Sequence, residues 1–558
     1  MMLNSFLRGL KSRAFFQPMG LAALFFALLL VRRSAQLFHP QIWAEDGGQV
    51  ILGFIQHGWR SFALPVNGYL NTSSKLIMGS SLMLSSLYCP LVSTLLVWLF
   101  IIGVCCAIAL CPTWLPARPL IAIATLLVPC DPEVFGIPLY AFWWASLLLF
   151  LVVLWSEKSS DIKWRLTFVL VGGLSSPIIF LITPFLLIRS LVLTPKRRER
   201  VILAAAVICC FIQSLMLRKT DVRGITKLSS LRLILPKFLG SYIAGNIHHV
   251  SDKTLWFTAG IVLSLLLATL PFVARQLKYW FLLGLWLGAM FFSAARVDLN
   301  VIHPQLAGPR YFFFPFVLLS WFVISVLFEC DSKPLQLACA ALLTAALLNT
   351  LPVLSRKHSD FRWADHLVSS SHFDHYQLPF TSNGYNTWYL FLDRAESQKL
   401  QNWGLINAHS WPAPKKTFPY RIISVDANAL ATLSSVDKRL LSTSCIVDDS
   451  WRGKDYDRSK YPGLTVIGSV RTGDADQGTL TVRLHRGDRV LFRTGPAVAH
   501  QNISVRNVRG FFDYAPSAPD WILLEFSNDL LPDEFTVVFS DKSSSFGEWS
   551  AAALRSSP

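Results

Sequence analysis

The sequence predicts an α-helical polytopic membrane protein with a β-rich domain at its C-terminal end. Three observations carry that prediction. Of 558 residues, 53% are hydrophobic and only 15% charged, where a soluble domain is nearer a quarter charged. Mean hydropathy is +0.45. Long apolar runs fill the chain up to residue 351, whereas short alternating runs fill it beyond residue 420. These features exclude a disordered chain, a disulfide-stapled secreted domain and an ordinary cytosolic enzyme.

A spanning helix needs roughly 20 apolar residues. Runs of that kind lie near 14–31, 91–111, 117–130, 137–155, 166–193, 200–217, 255–273, 279–295, 311–328 and 334–351. The run 166–193 is interrupted by Gly172, Gly173 and Pro177 and reads as two short helices, which makes about 11 crossings. The first span is followed by Arg32-Arg33 with no small-residue cleavage site, so it reads as an anchor. The half-apolar segments 47–60 and 68–87 read best as helices lying at the outer interface, with a true span as the alternative for the second.

Residues 1–351 hold 28 basic and 12 acidic side chains, and residues 352–558 hold 23 and 22, so the net charge of +17 belongs almost wholly to the membrane part. That excess speaks for loop orientation and anionic ligands, not nucleic acid. Lys196, Arg197, Arg198 and Arg200 form the strongest cluster, and placing such clusters in the cytoplasm turns loops 32–90, 131–136, 218–254 and 296–310 and the C-terminal part outward. Arg32, Arg33 and a run from Arg218 to Lys237 then fall on the outer side, where they need a ligand or contradict the placement. Nine of ten cysteines lie in or beside apolar stretches, and Cys445 stands alone in the C-terminal part, where it has no internal disulfide partner. The runs TLTVRLH, DRVLFRT, NISVRNV, WILLEFS and EFTVVFS, separated by Gly, Asp and Pro turns, have the spacing of an antiparallel sandwich or jelly roll. The expected domains are therefore a membrane domain at 1–351, an extracytoplasmic connecting region at 352–419 and a β-sandwich-like extracytoplasmic domain at 420–558.

Two acidic pairs stand out on the outer side: Glu45-Asp46 in WAEDGG, and Asp131 with Glu133 in VPCDPEVFG. A carboxylate beside apolar helices costs several kcal/mol if left uncompensated (on the order of 3 or more), so it usually has a task. Such groups can hold a divalent cation or accept a proton from a sugar hydroxyl. Helix capping for the first pair and a solvated turn for the second are the plainer readings. His248-His249 with Asp252 has no established metal spacing, and neither a phosphate-cradling nor a HExxH motif is present.

These motifs together resemble the GT-C superfamily, the membrane glycosyltransferases that use polyprenyl-phosphate sugars. The resemblance rests on Glu45-Asp46 after the first span, on Glu133 in PEVFG with Trp143-Trp144 beyond it, on LSSPIIFLITPFLL (174–187) and on GPRYFFFP (308–315), and covers roughly 1–351. The family uses a spaced Asp-x-Asp where this chain has adjacent Glu-Asp. The resemblance implies an inverting glycosyltransferase with Asp46 or Glu45 as base and Glu133 as its partner. It also implies donor binding by Arg310, Tyr311, Arg32 and Arg33, and a divalent cation such as Mg or Mn near Glu133 and Asp46. It further implies a polyprenyl-phosphate-sugar donor, an envelope-glycan or lipid-linked acceptor, and residence in a bacterial inner membrane with the C-terminal domain outside. The competing expectations are a flippase or transporter of lipid-linked glycans, which would need ionisable groups deep in its spans and a visible repeat, and a non-catalytic envelope-assembly protein.

Overall fold

The computed structural model describes residues 18–159, 161–193, 196–217, 232–247, 250–356, 363–370, 375–381, 387–407, 418–425, 433, 437–451, 463–469, 477–495, 500–511, 513, 515–516, 518, 520–542 and 549–556. Residues Arg218–Lys227 of the basic run and His248-His249 lie outside the described residues. The chain divides into two compact units. The first is Met1–Pro40, His57–Ser80 and Leu91–Lys357; the second is Gln41–Gln56, Ser81–Pro90 and His358–Pro558.

The first unit is helical: α1 (Pro18–Phe38), α2 (Thr72–Leu84), α3 (Cys89–Leu110), α4 (Arg118–Leu126), α5 (Ala141–Val153), α6 (Ile162–Ser175), α7 (Ile179–Val192), α8 (Lys196–Leu217), α9 (Asp252–Val273), α10 (Leu277–Arg296), α11 (Arg310–Glu329) and α12 (Lys333–Thr350). Seven of these, α1, α3 and α8 to α12, are long and apolar enough to cross a membrane. The chain is a multi-pass membrane protein. The expected count is about 11, and seven helices among the described residues meet this measure. Helices α4 to α7 stand where four crossings were expected, but they have 9, 13, 14 and 14 residues. At about 1.5 Å per residue even 14 residues reach only about 21 Å, short of a hydrocarbon core about 30 Å thick.

Sequence explains the main departures from straight spans. The break between α6 and α7 falls at Ser176, which is extended (φ −139°, ψ 138°) because Pro177 disfavours the helical region for the residue before it. Gly172 lets α6 press on α5: a Cβ there would stand 2.5 Å from Leu149 Cγ and 2.8 Å from the Ala145 carbonyl oxygen. Every residue of α5 is buried, as expected of a helix apolar all round.

The second unit is built on antiparallel sheets. Strands β1 (His375–Thr381) and β2 (Thr387–Asp393) form a hairpin, with Leu378 opposite Leu390. The short helix α13 (Trp363–Ser370) precedes it, and α14 (Arg394–Gln401) follows, capped by a reciprocal Asp393–Glu396 pair. Beyond lie β3 (Arg421–Ser424), β4 (Ile446–Asp449), β5 (Leu464–Gly468), β6 (Gly478–His485), β7 (Arg489–Thr494), β8 (Gln501–Val505), β9 (Ile522–Glu525), β10 (Glu534–Asp541) and β11 (Ser550–Arg555). They make a four-stranded sheet in the order β4-β6-β10-β8 and a five-stranded sheet in the order β3-β9-β7-β11-β5. Phe492 of β7 and Phe539 of β10 pack ring to ring at 5.6 Å, which ties one sheet to the other.

Interleaving of the units has a local cause. Segment 81–90 is joined to the C-terminal part by backbone bonds from Leu405 N to Met83 O (3.1 Å) and Ile406 N to Leu84 O (3.0 Å). Trp363 Nε1 also donates to Ser86 O at 3.0 Å. Segment 41–56 enters as a π-helical turn (Asp46–Ile51) running into a short helix (Leu52–His57). Its Gly47 sits so close to the Phe380 ring that a Cβ would meet it at 2.8 Å. Both segments belong to the second unit, whose main run begins at His358.

Candidate active site

The loop between α4 and α5 carries Asp131 and Glu133. Its residues from Val128 to Tyr140 are all buried, so its polar backbone groups need partners inside the protein. Arg32 donates to the carbonyls of Cys130 (2.8 Å), Val128 (3.3 Å) and Val353 (3.1 Å). Asn246 Nδ2 donates to Pro129 O at 2.9 Å, and Trp144 Nε1 to Val134 O at 2.8 Å. Asp131 N donates to Pro304 O at 2.8 Å, and Ser74 Oγ to Leu139 O at 2.8 Å. Gly136, at φ +79°, lies against Trp98 and Arg33, leaving room for no side chain. Two short 3-10 turns, Pro132–Val134 and Pro138–Tyr140, each begin on a proline, whose fixed φ suits that position. The loop is thus a rigid mount for its two acids.

Glu133 is buried and held by three donors: Arg310 Nη1 (2.6 Å), the Tyr140 hydroxyl (2.9 Å) and the Arg310 backbone N–H (3.4 Å). Arg310 opens α11 behind Gly308-Pro309, with Gly308 at φ +61°. Its guanidinium lies 5.1 Å from the Tyr311 ring centre and 5.6 Å from that of Tyr140, a cation–π arrangement. About a third of the Arg310 side chain (32%) remains exposed, so one edge of the cluster is open. Asp131 pairs with Arg356 at 2.8 Å, and buried Arg33 acts on Asp131 as a further cation. Four arginines thus gather about two carboxylates in this unit.

Environment separates the two acids. Burial raises the Glu133 carboxyl, but the Arg310 and Arg356 cations and the Tyr140 and Arg310 hydrogen bonds outweigh it, leaving it below the ordinary glutamate value. For Asp131 burial wins over Arg356 and Arg33, and its carboxyl is raised. The depressed group stabilises the fold above its unfolded value and loses that effect as pH falls through its lower folded value. The raised group does the reverse: its contribution is present below the ordinary aspartate value and is lost as pH rises through the folded one. Melting of the detergent-solubilised protein from acid to neutral pH checks this. The stability gap between wild type and Glu133→Gln is largest at neutral pH and closes once pH passes below the ordinary glutamate range.

The structure brings Glu133, Arg310, Tyr311, Arg32 and Arg33 together within the helical unit. The Arg32 guanidinium donates to three backbone carbonyls, two of them on the loop. Glu45 and Asp46 stand in the second unit. Asp46 is buried at the start of the π-helical turn, where its N–H donates to Trp43 O at 2.8 Å, and Glu45 is half-buried. Ala44 before them has φ +36°, unusual for a residue with a Cβ. Sequence reasoning missed Tyr140 and Arg356. Tyr140 stands seven positions past Glu133, and Arg356 opens a basic pair with Lys357 just past the last span, a signal that was legible but weak.

Of the residues expected near a divalent cation, Glu133 has its Oε1 taken by a guanidinium and a phenol, and its Oε2 meets, among the described residues, only the Arg310 N–H at 3.4 Å. Among the described residues no group of three or more His, Cys, Asp or Glu gathers. No step is drawn through a metal.

No protein-family model and no curated protein sequence matches the chain. Among solved structures the chain is similar to arabinosyltransferase EmbB from Mycobacterium smegmatis, a cryo-EM structure, at 13% identity and a TM-score of 0.29. The match covers 96% of this chain and 64% of that one, so the chain spans less than two thirds of that structure's length.

Proposed function

We propose that the chain is a GT-C-type membrane glycosyltransferase. It moves a sugar from a polyprenyl-phosphate carrier to an envelope glycan or lipid-linked acceptor on the outer side of the membrane. The observation that carries this reading is the arginine-rich cluster around Glu133, mounted on the buried loop between α4 and α5 with Arg310 at its open edge.

A lipid-phosphate sugar presents its anomeric carbon at the interface while its prenyl chain stays in the bilayer. In the transfer, the acceptor oxygen forms a bond to that carbon as the bond to the carrier phosphate breaks. Direct substitution of this kind inverts the anomeric centre. Negative charge grows on the departing phosphate, and a fixed guanidinium stabilises it most where water is scarce. Arg310 has that role, with Glu133 and the two tyrosine rings fixing its direction. The acceptor proton goes to a carboxylate, Asp46 or Glu45, acting as general base. The domain carrying that base belongs on the outer face of a bacterial inner membrane.

Transfer in proteoliposomes, with a polyprenyl-phosphate sugar supplied, tests the base. Asp46→Asn or Glu45→Gln lowers transfer by about 10²-fold or more, the usual scale for a lost general base, while melting stays near wild type. Unchanged transfer in both variants removes the first-loop carboxylates from the mechanism.

A further inference from the structure

Helix α8 begins with a charge pattern that its own stability does not explain. Lys196, Arg197, Arg198 and Arg200 are all exposed in or beside its first turn. Cations at a helix N-terminus oppose the helix dipole. The one acid of that turn, Glu199, is turned inward and bound by Arg165 and Arg189, so it does not offset them. The outward face of the turn is left strongly positive.

That basic face continues into an apolar one. Buried positions on α8 run Glu199, Ile202, Ala206, Cys209 and Gln213, the three-and-four spacing of one helix face. The opposite face carries Arg197 and Arg200 at its foot and Ile208, Phe211 and Leu215 above, exposed by 57%, 64% and 45%. From Arg200 to Leu215 the helix rises about 22 Å, long enough to run beside an acyl chain. Trp164, two residues from the α6 start and next to Arg165, is 61% exposed, as suits an indole at a membrane interface.

We propose that this face of α8 binds an anionic phospholipid, with the headgroup phosphate on Arg197 and Arg200 and an acyl chain along Ile208, Phe211 and Leu215. The occupant follows from charge and shape together: a cationic foot under an apolar stripe complements an amphiphile with an anionic head. The site lies away from the Glu133 cluster. Tyr140, bound to Glu133, precedes α5, while Val153 and Trp155 at the far end of α5 accept from Arg189, the partner of Glu199. About 20 Å of helix separates the two.

The full chain in nanodiscs tests this, with phosphatidylglycerol titrated into phosphatidylcholine and retained lipid read by native mass spectrometry. Wild type retains phosphatidylglycerol in preference to phosphatidylcholine. The pair Arg197→Gln with Arg200→Gln binds it about thirtyfold more weakly, while Arg197→Lys with Arg200→Lys stays within about threefold of wild type. Retention of wild-type affinity by the glutamine pair overturns the proposal. So does full displacement by soluble glycerol phosphate, since a chainless phosphate would then suffice. If the glutamine pair does not fold, salt decides with the wild-type protein: binding that is insensitive to ionic strength between about 0.05 and 0.5 M overturns it.

Discussion

Arg310→Gln lowers sugar transfer by about 10²- to 10³-fold in kcat/KM, the scale seen when one fixed donor to a developing anion is removed. The side chain is the most exposed of the four arginines whose cluster mounts on the α4–α5 loop, and the Glu133 carboxylate and the Tyr140 and Tyr311 rings hold it in one direction. Arg310→Lys recovers little, because an ammonium cannot grip Glu133 and a phosphate at once through a planar fork. Glu133 acts through Arg310, so Glu133→Gln costs less, and Glu133→Gln adds little further loss once Arg310 is already Gln. Proteoliposome kinetics on the two single variants and the double variant measure the coupling. Losses that simply add would mean that Glu133 meets the substrate on its own account and would overturn the assigned order of action.

The helical half of the fold was largely legible because apolar runs and their interruptions are local signals. Gly172, Gly173 and Pro177 announced the break that Ser176 makes, and the start of α11 at Arg310 coincides with GPRYFFFP. What sequence does not reveal is whether a buried apolar run spans or stops short. Helix α5 is as apolar as any crossing helix, yet it has 13 residues, because its ends are set by Pro138 and by the turn at Leu154 and Trp155. The site was legible in its residue types and less so in its pairings. Glu133 and Arg310 are 177 positions apart, and no periodicity links such positions. Arg32 shows the limit from the other side. A cation beside the first span carries no sign of its partners in the sequence, and the structure places Arg32 against three backbone carbonyls. The insertion of 41–56 and 81–90 into the second unit rests on backbone bonding and a close glycine contact, which leave no mark in composition.

Glu199→Gln destabilises the protein more than any other single change considered for the helical unit. The Glu199 carboxylate accepts four charge-assisted hydrogen bonds: from Arg165 Nη1 and Nη2, both at 2.7 Å, and from Arg189 Nε and Nη2 at 3.1 and 3.2 Å. All three side chains are almost wholly buried. Arg189 also donates to Val153 O (2.7 Å) and Trp155 O (2.9 Å) and lies 4.7 Å from the Trp114 ring centre, so the cluster joins α5 through α8 at one end. A glutamine keeps the shape but removes the negative charge, leaving two buried guanidinium groups facing each other with no counter-ion. Breaking a buried pair in this way costs about 3–5 kcal/mol, which for a chain of this size corresponds to a fall in Tm of about 3–4 °C. Arg165→Met costs less, because Arg189 still neutralises the carboxylate. Thermal unfolding of the purified variants in one detergent measures both. A fall in Tm for Glu199→Gln no larger than that for Arg165→Met would mean that the carboxylate is not what holds the two arginines inside.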